Sequence, residues 1–315
     1  MSSLETFPPL PAVSNTAQAF VECAGDGYPL GGFCWRHAVP DSTRAVVIIN
    51  AATSVRCSYY ARFAQYLFNH GFDVMTYDYR GIGESRPQVM RHFQASWTDW
   101  GTLDFEAMLQ RAAREFPGQP IDVVGHSFGG CAAGLAASSS QVRRLVTVGA
   151  QFAYWRDYAA DSRWQLFGKW HVLMPLLTRV FGYFPGKRLG WLEDTPAGVV
   201  NDWSTRTAAY ELRPSGKALG NLPFAKVRAQ TLAISLTDDP FGTVAAIERL
   251  LGYFEGSSRS HLRIAPADIE VAQIGHFAFF HNRFQKRLWP IALHWLQQGQ
   301  LADNTPGRVL ALNVP

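Results

Sequence analysis

An α/β fold, with a mostly parallel sheet flanked by helices and a helical insertion after the sixth strand, is predicted by three observations. Continuous Val/Ile/Leu runs recur from residue 45 onward, longer segments of helical period separate them, and the alternation stops between residues 151 and 225 before resuming. Strands buried on both faces need such unbroken apolar runs, which is how a parallel sheet reads in sequence.

Taken in order, residues 1–18 read as a tail. AFVECAGDGYPLGGFCWRH (19–37) reads as two antiparallel strands around a DGYPLGG turn. The buried strands are AVVIIN (45–50), FDVMTY (72–77), IDVVG (121–125), RLVTVG (144–149) and TLAISL (231–236). SYYARFAQYLFNHG (58–71), TDWGTLDFEAMLQRAAREF (98–116) and FGGCAAGLAASS (128–139) are long enough to be crossover helices. Gly71 and the Pro117-Gly118 pair stop the first two. Residues 19–150 and 226–299 thus form the core.

The insertion, 151–225, contains Pro175, Pro185, Pro196, Pro214 and Pro223 and no clear strand. It also holds five of the ten tryptophans and 14 of the 42 aromatic residues, as a small helical lid would if it packed on the sheet and lined what it covers. Beyond it come a helix in TVAAIERLLGYF (243–254), a strand in SHLRIA or IEVAQI near 261–274, and a last helix RFQKRLWPIALHWLQQG (283–299) that Pro290 would kink. Residues 300–315 form a tail without a readable pattern.

Composition narrows the function classes. The chain has 315 residues, 47% hydrophobic and 17% charged, so it can bury a large core. A net charge of +4, carried by scattered Lys and Arg, does not form a nucleic-acid groove. No run approaches the ~20 apolar residues that span a bilayer and the N-terminus has no apolar leader, so a cytoplasmic protein without integral membrane contact is expected. Cys23, Cys34, Cys57 and Cys131 lack CxxC spacing, and the nine histidines form no HxxxH or HxH pair. Neither a metal nor a cofactor is expected.

The chemistry centres on GHSFG (125–129), which fits GxSxG between an apolar strand and a small-residue helix. That context forces a sharp reversal that holds the Ser127 hydroxyl out of the turn, facing a helix N-terminus able to stabilise negative charge. The bland alternatives are a glycine-rich turn with an incidental serine or a fragment of a phosphate loop; the latter lacks its Lys-Ser/Thr and any GxGxxG. A serine nucleophile needs a base, and the base needs an orienting acid. TDDPFG follows TLAISL directly, offering Asp238 and Asp239, of which Asp239 is preferred because Pro240 stiffens its turn; Asp238 is assigned to solvent or to a helix cap. IGHFAFF offers His276 in a glycine-led loop. His126 reads as a polar core residue beside the turn, and His281 and His294 as surface or satisfied buried histidines. Phe128 would give one amide to an oxyanion, and the small residues Ala51 or Ala52 in IINAATSV another.

On INAATSV, FDVMTYDYRGIGESRP, GHSFGG, DDPFG and IGHFAFF, the chain resembles the α/β-hydrolases over residues 20–298. It is most similar to a bacterial "predicted α/β hydrolase" group related to serine aminopeptidase and monoacylglycerol lipase-like enzymes. The resemblance implies an eight-stranded sheet with a lid and, most often, carboxylic ester hydrolysis. Relatives usually carry His-Gly-x after the third strand; here the stretch is Asn50-Ala51-Ala52, which makes Ala52 the positional match for the amide. The DYRGIGES stretch (78–85) matches a structural glycine turn, and Ser at 127 disfavours the Asp-nucleophile members.

The expected function is a serine hydrolase acting on a carboxylic ester or related acyl bond, with Ser127, His276 and Asp239 as triad and Phe128 and Ala52 as oxyanion amides. Trp155, Trp170 and Trp203 are candidate walls for an apolar or aromatic group of a small-molecule acyl substrate. The insertion counts nine Lys/Arg against six Asp/Glu, +3 of the chain's +4, which would suit an anionic substrate. An acyltransferase using the same triad, and a non-catalytic binding protein, are the rival readings. Oligomeric state is not legible.

Overall fold

The computed structural model describes residues 17–212 and 222–312. Of the tail expected over residues 1–18, residues 1–16 lie outside the described residues, as does Pro214 of the insertion, while residues 17 and 18 already belong to the first strand.

Chain order gives β1 (Ala17–Cys23), β2 (Pro29–Trp35), β3 (Val46–Asn50), β4 (Asp73–Tyr77), β5 (Ile121–His126) and β6 (Val142–Val148). It continues with a small pair, β7 (Tyr183–Phe184) and β8 (Thr195–Pro196), and then β9 (Gln230–Leu236), β10 (Ser258–Ile264) and β11 (Arg308–Leu310). The main sheet runs β1-β2-β4-β3-β5-β6-β9-β10-β11. From β4 to β10 all pairs are parallel, while β1, β2 and β11 add antiparallel edges. The central strands β3, β4 and β5 are buried throughout, as apolar runs covered on both faces must be.

Four expectations are corrected. The main sheet has nine strands rather than eight, because Arg308–Leu310 of the C-terminal tail pairs with β10. Between the two candidates near 261–274, β10 covers SHLRI, and IEVAQI forms no strand. Pro290 stands in the first turn of the helix Trp289–Gln298 and begins it, since a missing N–H costs nothing there. The segment after Ser127 is helical only over Phe128–Ala132. Gly129, Gly130 and Gly134 weaken that helix, and the Phe224 ring lies against Gly134 where a side chain would stand.

The strand order reverses at β3: the chain moves out to β4 and returns across β3 to β5. Helices and loops leave such a switch point in opposite directions, opening a crevice at the carboxyl ends of the two strands. The Asn50 loop and Ser127 flank that crevice. Close packing there depends on absent side chains: a Cβ on Gly125 would meet the Gly130 Cα at 2.5 Å, and one on Gly129 would overlap the Asn50 carbonyl. In DYRGIGES, Gly81 (φ 90°) and Gly83 (φ 43°) make the turn, and the Asp78 carboxylate accepts the Cys57 and Glu84 N–H groups at 2.6 and 2.9 Å.

Between β6 and β9 lie short helices. Arg163–Phe167 runs through a π-helical turn, Gly168–Leu173, into Met174–Phe181, and Ala197–Ser204 follows. This segment is held by a row of stacked rings. Trp170 lies on Trp203 (centroids 4.9 Å), Trp203 on Trp97 (6.0 Å) and Trp97 on Phe128 (4.7 Å). Each aromatic pair adds roughly 0.5–1.5 kcal/mol beyond its buried area, so the insertion is tied through Trp97 to the residue that follows Ser127. Among the described residues, no helix is long and apolar enough to cross a membrane.

Candidate active site

Ser127 follows β5 and stands at the N-cap position of the short helix Phe128–Ala132 with φ 52° and ψ −122°, a conformation that residues other than glycine rarely adopt. Hydrogen bonds on both sides hold the turn: the Ser127 N–H donates to the Val148 carbonyl (2.9 Å), and the Gly130 N–H to the Ser127 carbonyl (3.1 Å). Strain kept in this way projects the hydroxyl out of the chain's path. Ser127 is 7% exposed and lines a cavity of about 480 Å³.

His276 lines the same cavity, and its Nδ1 lies 2.7 Å from Asp239 Oδ2. An ionised carboxylate can only accept, so Nδ1 carries a proton, and in the neutral ring Nε2 is the nitrogen left to accept. Burial by itself would raise the Asp239 carboxyl; the adjacent His276 ring and the Gly242 and Phe241 N–H groups outweigh it and hold the group below its ordinary range. Room for this carboxylate comes from Gly149 and Gly242, since a Cβ on either would press on Asp239 Oδ2. Asp238 does something other than expected. Its Oδ2 accepts the Ile274 and Gly275 N–H groups at 2.7 and 3.0 Å, which anchors the loop presenting His276. The paired acids therefore divide the work: one touches the imidazole and the other holds its backbone.

Ala52 is the second correction at the site. It lines the cavity, but its N–H already donates to the Tyr60 hydroxyl at 2.9 Å. The neighbouring Thr53 N–H has no acceptor among the described residues, and Thr53 also lines the cavity. Phe128 opens its helix, so its N–H precedes the first intrahelical bond.

Tyr60 leads to a buried network that sequence reasoning missed. His126 Nε2 lies 2.9 Å from the His276 carbonyl and must donate to it, so Nδ1 accepts from the Tyr60 hydroxyl at 2.7 Å. The chain of bonds runs from Ala52 N–H through Tyr60 and His126 to the His276 backbone, joining the two loops that flank Ser127. It requires neutral His126. Burial, with the nearby His276 adding to it, pushes the His126 pKa down to about 3. The unfolded chain takes up this proton near pH 6.5 while the folded chain refuses it until about pH 3, so stability falls as pH drops through that window. The slope is one proton, at most about 1.4 kcal/mol per pH unit. Urea unfolding of wild type and His126→Gln between pH 7 and 5 should show the wild-type midpoint falling more steeply; parallel curves would exclude this role.

Of the expected wall residues, Trp170 and Trp203 line the cavity and Trp155 does not. Trp155 begins a short 3-10 turn and packs on Trp164 (5.4 Å) and Phe167 (4.8 Å). Trp191 joins the lining instead, just past the left-handed Gly190 that ends the helix Gly186–Leu189.

The family profile described as serine aminopeptidase, S33 (Hydrolase_4), matches residues 41–210, which include Ser127 but stop short of Asp239 and His276. No curated protein matches the chain in sequence. Among solved structures, a soluble variant of monoglyceride lipase from Saccharomyces cerevisiae, in complex with a substrate analog, is 14% identical with a TM-score of 0.64, over 94% of this chain and 99% of that one. An esterase from Pyrococcus furiosus is 14% identical with a TM-score of 0.58, over 95% and 99%. An α/β serine hydrolase without lid from Xanthomonas campestris is 15% identical with a TM-score of 0.50, over 92% and 95%. At these identities the likeness establishes an α/β-hydrolase fold.

Proposed function

The chain belongs to the serine aminopeptidase S33 (Hydrolase_4) family of α/β-hydrolases, and we propose that it is a serine hydrolase that cleaves a carboxylic ester or related acyl bond through an acyl-enzyme on Ser127. The observation that carries this reading is the 2.7 Å contact of Asp239 with His276, on loops that bring the imidazole to the cavity of a strained, strand-end serine. Ser127 attacks the acyl carbon, His276 takes its proton and returns it to the leaving group, and Asp239 stabilises the imidazolium. Water then repeats the sequence to release the acid.

The oxyanion forming on the acyl oxygen needs donors that nothing else occupies. Phe128 and Thr53 fit that requirement; the Thr53 N–H, without an acceptor among the described residues, supports it over Ala52. In this reading residues 151–225 serve as the lid, with Trp170, Trp203 and Trp191 facing the substrate's apolar part.

The test combines chemistry with pocket length. A fluorophosphonate probe should label the folded protein at Ser127, and p-nitrophenyl acyl esters of graded chain length should give one preferred length. An acyltransferase would use the same residues; adding alcohol or amine acceptors and analysing products separates the two. Absence of labelling and of turnover together would remove the hydrolase reading.

A further inference from the structure

Lys169 stands out among the cavity's lining residues. Its ammonium lies 4.1 Å from the Trp191 ring centroid and 4.6 Å from that of Trp170, in the corner of two indoles that meet edge to face. Aromatic faces attract a cation but accept none of its three N–H bonds in the way an oxygen would. No carboxylate pairs with Lys169 among the described residues. The insertion's six acids have other partners: Asp157 pairs with Arg249, Glu193 with Arg56 and Lys187, and Asp194 with Arg86, while Asp202 accepts the Trp97 N–H, Glu211 the Tyr253 hydroxyl and Asp161 the Ser162 hydroxyl.

Two further observations point the same way. The Trp170 indole N–H is buried and has no acceptor among the described residues, so a second donor without a partner belongs to the residue next to Lys169, and both residues line the cavity. Both residues belong to the π-helical turn Gly168–Leu173, a local widening that recurs at functional sites because it re-aims side chains. Half-burial also lowers the Lys169 pKa, as expected where an ammonium has lost water without gaining an anion.

We infer that Lys169 is a specificity-determining residue that receives a carboxylate carried by the substrate, so that the preferred substrate is an acyl ester bearing a negative charge away from the scissile bond. A single ammonium is a point charge that balances a monoanion, whereas a phosphate dianion is usually met by several donors or a guanidinium fork. Asp238, the acidic residue that lines the cavity, comes from the sheet-edge loops and has its Oδ2 held by backbone N–H groups. The anion's place is therefore at the insertion end, beside Trp170 and Trp191. This inference rests on Ser127 being the nucleophile of that cavity.

The experiment compares p-nitrophenyl esters of glutarate, one with its far carboxylate free and one with it capped as a methyl ester. Wild type should favour the free carboxylate by about tenfold or more in kcat/KM, mainly through KM, and the ratio should shrink as salt rises. Lys169→Met should bring the ratio to about one, and Lys169→Arg should restore most of it, which loss of packing alone would not allow. A wild type without the preference, or a Lys169→Met protein that keeps it, would overturn the inference. Calorimetry with monomethyl and dimethyl glutarate gives a readout without turnover. Selective binding of the monoacid, lost in Lys169→Met, upholds the anion site even if neither ester is cleaved and no probe labels Ser127; equal or absent binding of both removes it. Failure of the hydrolase reading thus remains distinct from failure of the anion site.

Discussion

Ser127→Ala is expected to lower turnover of p-nitrophenyl acyl esters by about 10⁴- to 10⁶-fold and to abolish fluorophosphonate labelling, while the protein stays folded. The variant removes one hydroxyl from a residue that is 7% exposed and leaves the backbone bonds to Val148 and Gly130 in place. Any residual rate would come from the amides and the binding pocket, which still favour the transition state. The same position offers a stability readout. Ser127→Gly relieves a φ of 52° that costs roughly 1–3 kcal/mol in other residues, so its melting temperature should exceed that of Ser127→Ala while both stay inactive. An alanine variant within about tenfold of wild type would sink the acyl-enzyme mechanism.

Asp239→Asn is expected to cost about 10³- to 10⁴-fold in kcat, with a much smaller change in KM. The asparagine amide can donate to Nδ1 of His276, which moves the imidazole proton to Nε2 and removes the lone pair that would accept from Ser127. The buried charge that steadies the imidazolium is lost as well. Asp238→Asn is the informative partner, since its Oδ2 receives two backbone N–H groups from the His276 loop and does not touch the ring. Its effect should be smaller in rate and should show in stability. If Asp238→Asn proved the more damaging to kcat, the two acids would have to exchange roles.

The division between what was legible and what was not follows the range of the forces. Strand runs read within a residue or two because burial on both faces demands a continuous apolar stretch, as at 45–50 against β3 (Val46–Asn50) and 231–236 against β9 (Gln230–Leu236). Asp239 could be preferred to Asp238 from Pro240 alone, but the task of Asp238 depended on a loop 36 residues away in sequence. Ala52 was chosen by counting from the strand. Which amide is free depends on a tyrosine eight positions on whose hydroxyl reaches back, and no local pattern encodes that. Trp155 and Trp191 show the same limit, because composition marked the insertion as aromatic without saying which rings turn inward.

By itself, the sequence determined the alternating α/β architecture, the strand-end position of Ser127, and the order of serine, acid and histidine along the chain. All three follow from periodicity, turn chemistry and residue type, which act over a few positions. Tertiary structure alone decided what Asp238 holds, that the Ala52 amide is taken, how the Trp170-Trp203-Trp97-Phe128 stack seats the insertion, and that Lys169 lines the cavity without a carboxylate partner among the described residues. Those outcomes depend on contacts between segments far apart in the chain. Hydrogen bonds of under 3 Å and ring stacking are satisfied only once packing has fixed both partners, and packing is a property of the whole core.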